Sequence, residues 1–268
     1  MDNRYIGVFD SGLGGLTVVK QLMESMPDEN IVYFGDTGRV PYGTRSNDTI
    51  IKYVRGDIRF LNTFDIKMII VACGTASAVA LPIIKDENET QIIGVVEPTV
   101  KAALSATGNG NIGVIGTNST IRSGAYEKLI GANPDVHIFS VPCPLFVPLV
   151  ENGHTNSKAA YLIAREYLEP MVSANIDTLI LGCTHYPLLK DIISDIMGDK
   201  VKLIEPGIQT AAYVKELLDS KNALSECKNN QQYLYYVSDD VDSFIRLGGL
   251  FLQKQICGQV SRIDIERY

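Results

Sequence analysis

The stretches MIIVACGTAS (68–77) and TLILGCTHYP (178–187) decide how this chain of 268 residues is expected to fold. Each begins with a run of aliphatic residues that predicts a buried strand. Each then passes through a cysteine into small and polar residues that favour the start of a helix. The two stretches lie 110 positions apart. Two matching strand-to-helix segments at such a distance predict an internal duplication.

A second pair of segments supports the duplication. The run IGV occurs at 6–8 and again at 112–114, and each copy leads into a polar turn. A chance likeness between two short apolar strands is the alternative for this pair by itself. Because the two pairs have nearly the same offset, we favour duplication.

Short apolar runs alternate with longer segments of helical period, which predicts βα units around mostly parallel sheets. The predicted strands cover 4–9, 30–34, 67–72, 91–95, 112–116, 136–141, 177–182, 201–204 and 233–237. The clearest predicted helices cover 16–26, 48–64, 158–171 and 241–254. The expected fold class is therefore α/β, with two pseudo-symmetric doubly wound domains. The first would comprise residues 1–95 plus 207–268, and the second 96–206.

Composition narrows the possible partners. The chain is 46% hydrophobic, with a net charge of −7. It contains no apolar run of the roughly 20 residues that a membrane helix needs, and no Lys/Arg cluster that would follow a phosphate backbone. We therefore expect neither nucleic acid nor a membrane as a partner. Since no export signal is recognisable, we expect a cytoplasmic location.

The cysteines are odd in number and widely spaced, which argues against a disulfide framework. Cys73 and Cys183 both follow a predicted strand, at the edge where parallel sheets bind ligands. The N–H groups at the start of the next helix are expected to lower the pKa of each thiol, so that it can act as a base. A buried structural thiol is the alternative for one such cysteine, but the matched pair favours chemistry. Cys143, Cys227 and Cys257 lack this setting and are expected to be structural.

Polar turns after other strands bring further candidates to the same edge. The turn DSGLGG (10–15) combines the Asp10 carboxylate, which can bind an ammonium group, with glycine N–H groups that can bind an anion. It fits neither the dinucleotide nor the P-loop pattern, so NAD and ATP are poorly supported. The turn GDTGRVPYG (35–43) follows the second strand, although by itself it could be an ordinary loop.

Two titratable residues are candidates because of where they stand in the chain. His185 lies two positions from Cys183 and is expected to relay protons or to support the thiolate. Glu151 follows an apolar run and could be either a solvated carboxylate at a helix end or a site residue. Spacing leaves both interpretations of Glu151 open.

Together, these segments resemble the glutamate racemases of the aspartate/glutamate racemase superfamily. The resemblance rests on eight motifs in family order: IGVFDSGLGGLTV (6–18), YFGDTGRVPYG (33–43), VACGTASAVAL (71–81), GVVEPTVKAA (94–103), VIGTNSTIRSGAY (114–126), CPLFVPLVENG (143–153), LILGCTHYPLL (179–189) and IEPGIQTA (204–211).

This resemblance implies a cofactor-independent racemase with two bases, no metal and an active site between two domains. Cys73 would deprotonate D-glutamate and Cys183 would deprotonate L-glutamate, assisted by Asp10 and His185 and further aided by Asp36 and Glu151. The implied substrate contacts are Asp10, Ser11, Tyr42, Gly43, Gly74, Thr75, Thr117, Thr184 and His185. The resemblance also implies a homodimer that supplies D-glutamate for bacterial peptidoglycan.

One position departs from the family pattern. The family commonly has Asn after the first cysteine, whereas this chain has Gly74. The backbone N–H of Gly74 remains available to a carboxylate, but the side-chain amide is absent. The missing amide is expected to affect the affinity for the substrate and, to a lesser degree, the choice between glutamate and another acidic amino acid.

Three other functions compete with this interpretation. The nearest is a racemase of aspartate or another amino acid, and the second is a thiol hydrolase that uses Cys183 and His185, which leaves Cys73 unexplained. The third is a zinc-binding or partner-binding protein with Cys73, Cys183 and His185 as ligands. That alternative lacks the close cysteine pairs of structural zinc sites.

Overall fold

A computed structural model describes residues 1–227, 230–256 and 259–268, and strands alternate with helices along these ranges. The strands are β1 (Tyr5–Asp10), β2 (Ile31–Gly35), β3 (Ile66–Val71), β4 (Ile92–Gly94), β5 (Asn111–Gly116), β6 (His137–Pro142), β7 (Thr178–Leu181), β8 (Lys202–Ile204), β9 (Tyr233–Val237) and β10 (Val260–Arg262).

The α-helices of the same ranges are α1 (Leu16–Ser25), α2 (Asn47–Leu61), α3 (Gly74–Val79), α4 (Leu81–Ile84), α5 (Val96–Ala106), α6 (Asn118–Arg122), α7 (Ala125–Ile130), α8 (Phe146–Glu151), α9 (Lys158–Ser173), α10 (Lys190–Met197), α11 (Pro206–Ser220) and α12 (Val241–Leu252). Short 3₁₀ helices occur at Tyr42–Thr44, Lys85–Glu87, Tyr186–Leu189 and Ile265–Arg267.

The described strands form two parallel sheets. Their orders are β10-β9-β2-β1-β3-β4 and β6-β5-β7-β8. The inner run β2-β1-β3-β4 and the second sheet have the same order when β1 is matched with β5 and β3 with β7. Both pairs of like segments in the sequence therefore occupy equivalent strands. The predicted α/β class with mostly parallel sheets is confirmed.

The first sheet is buried on both faces because helices cover each side. Val8 and Ile70 pack in one apolar cluster with α1, α11 and α12. Their chain neighbours Phe9 and Val71 point the opposite way and pack with α2. This alternation follows from the two-residue period of a strand, and it explains why these strands appear in the sequence as continuous apolar runs. Within the described ranges, none of the helices combines the length and apolar character needed to cross a bilayer.

Some boundaries differ from the sequence prediction. β10 was not predicted, because three residues at a sheet edge carry too little pattern to be recognised. The helix predicted to end at 64 ends at Leu61, and the helix predicted to end at 254 ends at Leu252, since Gln253 adopts a left-handed conformation with φ of 54°. The helix predicted over 158–171 continues to Ser173 with Pro170 inside it.

Candidate active site

The carboxyl ends of the central strands of both sheets meet at one place. β1 ends at Asp10, and the loop after β7 brings the Thr184 hydroxyl 3.3 Å from Asp10 Oδ1, to which it donates. Thr75, after β3, lies 2.9 Å from Thr117, after β5, through their hydroxyl oxygens. These contacts join loops of the two sheets, so the candidate residues that follow β1, β3, β5 and β7 form one site.

Cys73 is the N-cap residue of α3 and is 5% exposed. Its sulfur accepts a hydrogen bond from Ala76 N at 3.5 Å and lies 3.6 Å from Ser11 Oγ. Burial and the nearby Asp10 carboxylate raise the pKa of Cys73 to about 12. The expectation of a lowered pKa is therefore wrong for Cys73. The Ala76 N–H does favour the thiolate, but the loss of solvent around the sulfur outweighs it.

Cys183 has a different environment. Its Sγ lies 4.0 Å from Nδ1 of His185, and the other ring nitrogen, Nε2, lies 3.1 Å from Oε1 of Glu151. Burial of His185 opposes a charged ring, but hydrogen bonds and charge interactions with Cys183 and Glu151 outweigh it and raise its pKa to about 10. A protonated His185 thus places a positive charge beside Cys183. Of the two interpretations of Glu151, the structure favours the one in which it contacts the site.

Asp10 is fully buried between the loops. Its Oδ2 accepts a hydrogen bond from Gly12 N at 2.9 Å, while Oδ1 accepts from Thr184. Burial raises the pKa of Asp10, and the charge of His185 works against that increase. The carboxylate is therefore held rigidly at the contact between the two sheets' loops.

Two glycines allow these loops to touch. A Cβ atom on Gly74 would lie 2.4 Å from the carbonyl oxygen of Gly182, the residue before the second cysteine. A Cβ atom on Gly14 would lie 2.1 Å from Thr184 Oγ1. Since real Cβ atoms do not approach so closely, a side chain at either position would require its neighbour to shift, and at Gly74 that neighbour is backbone. The departure from Asn at position 74 thus coincides with a direct backbone contact between the two cysteine loops.

Three threonine hydroxyls form a ring beside Cys73. Thr75 Oγ1 lies 3.2 Å from Thr120 Oγ1, and Thr120 lies 2.9 Å from Thr117, which completes the triangle. Sequence analysis missed Thr120. The signal was present, because Thr117 caps α6 by accepting a hydrogen bond from Thr120 N, and residues three apart at a cap lie side by side.

The turn after β2 contacts the loop after β5 through its backbone at Gly43. The Gly43 carbonyl accepts a hydrogen bond from Ser119 Oγ at 2.8 Å, and a Cβ atom on Gly43 would lie 2.7 Å from that of Thr117. The Tyr42 hydroxyl instead contacts the carboxyl groups of Asp36 and Asp57. The Asp36 carboxylate also contacts Arg39 and Ser238.

Asp57 and Arg39 were missed in the sequence analysis. Asp57 stands at a buried position of the amphipathic helix α2, where the apolar pattern calls for a hydrophobic residue. A carboxylate at such a position was the available signal, because buried charges in proteins are paired.

The remaining cysteines lie outside this set of contacts. Cys143 is buried near the carbonyl of Val141, and Cys227 accepts a hydrogen bond from Asn30 Nδ2 at 3.6 Å. Both are free thiols, as are Cys73 and Cys183. Cys257 lies outside the described residues. In the described part of the chain, His, Cys, Asp and Glu side chains form no group of three that could hold a metal, so the zinc alternative has no ligand set there.

A cavity of about 200 Å³ opens beside the site. Its walls include Gly12, Leu13, Val40, Glu151 and Phe244. It therefore connects the turn after β1 with the Glu151 carboxylate that contacts His185.

Comparison with known proteins identifies the family of this chain. Residues 16–214 match the model of the Asp/Glu/Hydantoin racemase family. A glutamate racemase of Geobacter metallireducens is 45% identical over 262 residues, which cover 97% of each chain. The crystal structure of a glutamate racemase isoform from Bacillus anthracis superposes with a TM-score of 0.94, at 36% identity and 98% coverage of each chain.

A second solved structure also covers the whole chain. A glutamate racemase from Francisella tularensis, determined in complex with D-glutamate, superposes with a TM-score of 0.92 at 40% identity and 100% coverage of both chains. The two solved structures match 98% and 100% of this chain, so their similarity extends beyond the region of the motifs quoted above. The chain therefore belongs to the Asp/Glu/Hydantoin racemase family.

Proposed function

We propose that this protein is a glutamate racemase, an isomerase that interconverts L- and D-glutamate with two cysteines and without a cofactor. The observation that carries the proposal is the placement of Cys73 and Cys183 after equivalent strands of two sheets whose loops touch. Full-length relatives with the name glutamate racemase, and the relative solved with D-glutamate, support this choice of substrate.

Two thiols suit the chemistry of inversion. A base that returned its proton to the same face of the α-carbon would leave the configuration unchanged. In the proposed reaction, one thiolate takes the α-hydrogen as a proton, and the electron pair of the C–H bond stays on the substrate as a carbanion next to its carboxylate. The opposite thiol then protonates the other face. Each direction needs one sulfur ionised and the other protonated, so we expect a bell-shaped pH profile.

The two sulfurs have unequal surroundings that match this requirement. The pKa of Cys73 is raised to about 12, so Cys73 is a thiol at neutral pH. Cys183 lies beside His185, whose pKa of about 10 keeps the ring positively charged at neutral pH. We therefore propose that Cys73 is the acid when L-glutamate is bound, with Cys183 as the base that takes the α-proton. With D-glutamate bound, the two roles would be exchanged, with Cys73 as the base and Cys183 as the acid.

The remaining candidates are proposed to bind the substrate. Asp10 would face the ammonium group and assist Cys73, while His185 and Glu151 would assist Cys183. The hydroxyls of the loops and the backbone N–H groups next to them would bind the carboxylates. These contacts would come from Ser11, Tyr42, Gly43, Gly74, Thr75, Thr117 and Thr184. We assign Tyr42 a backbone contact, because its hydroxyl is engaged by Asp36 and Asp57.

Four broader proposals follow from the sequence pattern and the family resemblance. The chain would divide into one domain of residues 1–95 plus 207–268 and another of 96–206. It would form a homodimer. It would act in the cytoplasm, and its product would be D-glutamate for peptidoglycan synthesis.

Isotope exchange tests the central proposal directly. Purified protein is incubated with L-glutamate in D₂O without pyridoxal phosphate, and circular dichroism and deuterium at the α-carbon are followed together. We expect the optical signal to decay to zero with deuterium incorporation, and the decay to be lost in Cys73→Ala and Cys183→Ala. Cys143→Ala is the matched control, since Cys143 is also a buried free thiol.

Three outcomes would contradict the proposal. Absence of decay and exchange with L-glutamate, together with racemisation of L-aspartate, would move the substrate to aspartate. Full activity in either cysteine variant would contradict the two-base mechanism, and a trapped acyl-enzyme on Cys183 would instead indicate hydrolysis.

A further inference from the structure

A buried polar cluster lies behind the turn that carries Tyr42 and Gly43. Asp36 and Asp57 are both fully buried, and the Arg39 side chain is 12% exposed. Arg39 Nε donates to Asp36 Oδ2 at 2.7 Å, and Nη2 donates to Asp57 Oδ1 at 2.8 Å. Two buried carboxyl groups therefore share one guanidinium.

The Tyr42 hydroxyl lies between the same two carboxyl groups. Its oxygen is 2.5 Å from Asp36 Oδ2 and 2.8 Å from Asp57 Oδ2. A phenol has one hydrogen and can donate it to only one of these oxygens. If both carboxyls were ionised, the other contact would bring two unprotonated oxygens together in a buried site. A second proton must therefore lie on one of the carboxyl groups.

The contacts of the two carboxyl groups identify where that proton lies. Asp36 accepts from Arg39 and from Ser238 Oγ, at 2.8 Å, in addition to Tyr42. Among the described residues, Asp57 has Arg39 on one oxygen and only the Tyr42 hydroxyl on the other. Because Asp36 has more donors to stabilise its negative charge, the proton belongs on Asp57 Oδ2. Asp57 then donates to Tyr42, and Tyr42 donates to Asp36.

We propose that Asp57 carries this proton at neutral pH and is a positioning residue that, through Tyr42, holds the Asp36–Gly43 turn in place. The proton follows from the hydrogen-bond geometry. Only its consequence for catalysis rests on the proposed racemase function. Asp57 does not touch the cysteines. It acts through the chain, because Gly43 follows Tyr42 and contacts Ser119 and Thr117 at the start of α6.

The charges around the cluster agree with a protonated Asp57. Burial raises the pKa of Asp57 well above its ordinary value, and the charges of Asp36 and Asp10 raise it further, against the opposing effects of the Arg39 charge and the Tyr42 hydrogen bond. The positive charge of Arg39 is in turn shared with Glu266, whose Oε1 lies 3.3 Å from Nη1, and its guanidinium stacks 4.3 Å above the ring of Tyr53. One guanidinium therefore cannot neutralise both carboxylates at once.

Infrared spectroscopy tests the proton without reference to activity. We expect the wild-type protein at neutral pH to show the C=O band of a protonated carboxyl group, sensitive to D₂O, and Asp57→Asn to lose it. Asp48→Asn is the matched control, because Asp48 is an exposed carboxylate of the same helix and its removal leaves the band unchanged. A band that persists in Asp57→Asn, or no such band in the wild-type protein, would overturn the assignment.

Kinetics test the positioning role separately. The amide of Asn can replace a protonated carboxyl group as donor to Tyr42, so Asp57→Asn is expected to keep kcat/KM for glutamate within about threefold of wild type. Asp57→Ala leaves Tyr42 unsupported and is expected to lower kcat/KM by about 10- to 100-fold. Equal kcat/KM in Asp57→Ala and wild type would overturn the positioning role. If the wild-type protein does not racemise glutamate, the proposed function fails, and the infrared comparison still decides the proton.

Discussion

Oε1 of Glu151 lies 3.1 Å from Nε2 of His185, although the two residues are 34 positions apart in the chain. The opposite ring nitrogen faces Cys183, so the imidazole lies between a carboxylate and a thiol. The ring also packs against Phe251 in a T-shaped arrangement, and His185 is buried. The charge of His185 therefore depends on Glu151, and this dependence can be measured.

We expect Glu151→Gln to lower the pKa of His185 from about 10 by about 1 to 3 units, because an opposite charge within hydrogen-bond distance is removed. A raised histidine pKa contributes stability that is complete below the ordinary value of 6.5 and is lost as pH rises through about 10. In the variant, this loss should occur at lower pH. NMR titration of the ring and thermal unfolding against pH would measure the two effects. The exposed Glu169→Gln is the control, and an unshifted titration in Glu151→Gln would contradict the prediction.

Asp10→Asn should make Cys73 easier to ionise. Burial is the largest cause of the raised pKa of Cys73, about 12, and the negative charge of Asp10 is the second. Removing that charge should lower the pKa by about 1 unit, while burial keeps it above the ordinary value. The rate of alkylation by iodoacetamide against pH, in a Cys183→Ala background, reports this change. An unchanged profile would mean that Asp10 carries no charge in the folded protein.

Gly74→Ala should disrupt the contact between the two cysteine loops. A Cβ atom would lie 2.4 Å from the Gly182 carbonyl, so the backbone must shift, at a cost of about 1 to 3 kcal/mol in the free energy of unfolding. The Cβ atom introduced by Gly74→Asn would approach the same carbonyl oxygen. We therefore expect this substitution to lower kcat/KM for glutamate as well.

Gly56→Ala is the control for Gly74→Ala. Gly56 lies inside α2, where the nearest atom to a Cβ would be 3.9 Å away. The substitution should therefore increase the free energy of unfolding by about 0.5 to 1 kcal/mol. Urea denaturation measures both variants, and a Gly74→Ala protein as stable as Gly56→Ala would contradict the close contact.

Lys67→Met should be strongly destabilising. Lys67 Nζ lies 2.6 Å from Glu29 Oε2, and the two side chains are 2% and 1% exposed. Lys67 also donates to the carbonyls of Asp2 and Ala223, which ties two chain segments to the sheet. Without the lysine, a carboxylate would be left buried and unpaired, at a cost of about 3 to 5 kcal/mol in the free energy of unfolding.

The matched control for Lys67→Met is Arg55→Met. Arg55 pairs with Glu87 on the surface, where both side chains are 42% exposed, so its loss should change stability by less than about 1 kcal/mol. Urea denaturation compares the two proteins. Equal effects would show that burial of the Lys67 pair does not matter.

The sequence by itself determined the α/β class, the position of most strands and the placement of Cys73 and Cys183. These features are local, because a buried strand needs only its own run of apolar residues and the cysteine that follows it is adjacent in the chain. The repeated order of such runs also indicated equivalent strands in the two sheets. The family was recognisable for the same reason, since each motif is a continuous segment.

Only the tertiary structure decided which distant side chains meet. Glu151 contacts His185, and Asp57 contacts Tyr42. Gly74 contacts Gly182. The spacing of these residues in the sequence does not predict any of the three contacts. The direction of the pKa shift of Cys73 was also wrong in the sequence analysis. The start of a helix is visible in the sequence, but solvent exposure is set by what packs over the sulfur. Burial, which is a property of the whole fold, therefore decided the protonation state that local pattern had misjudged.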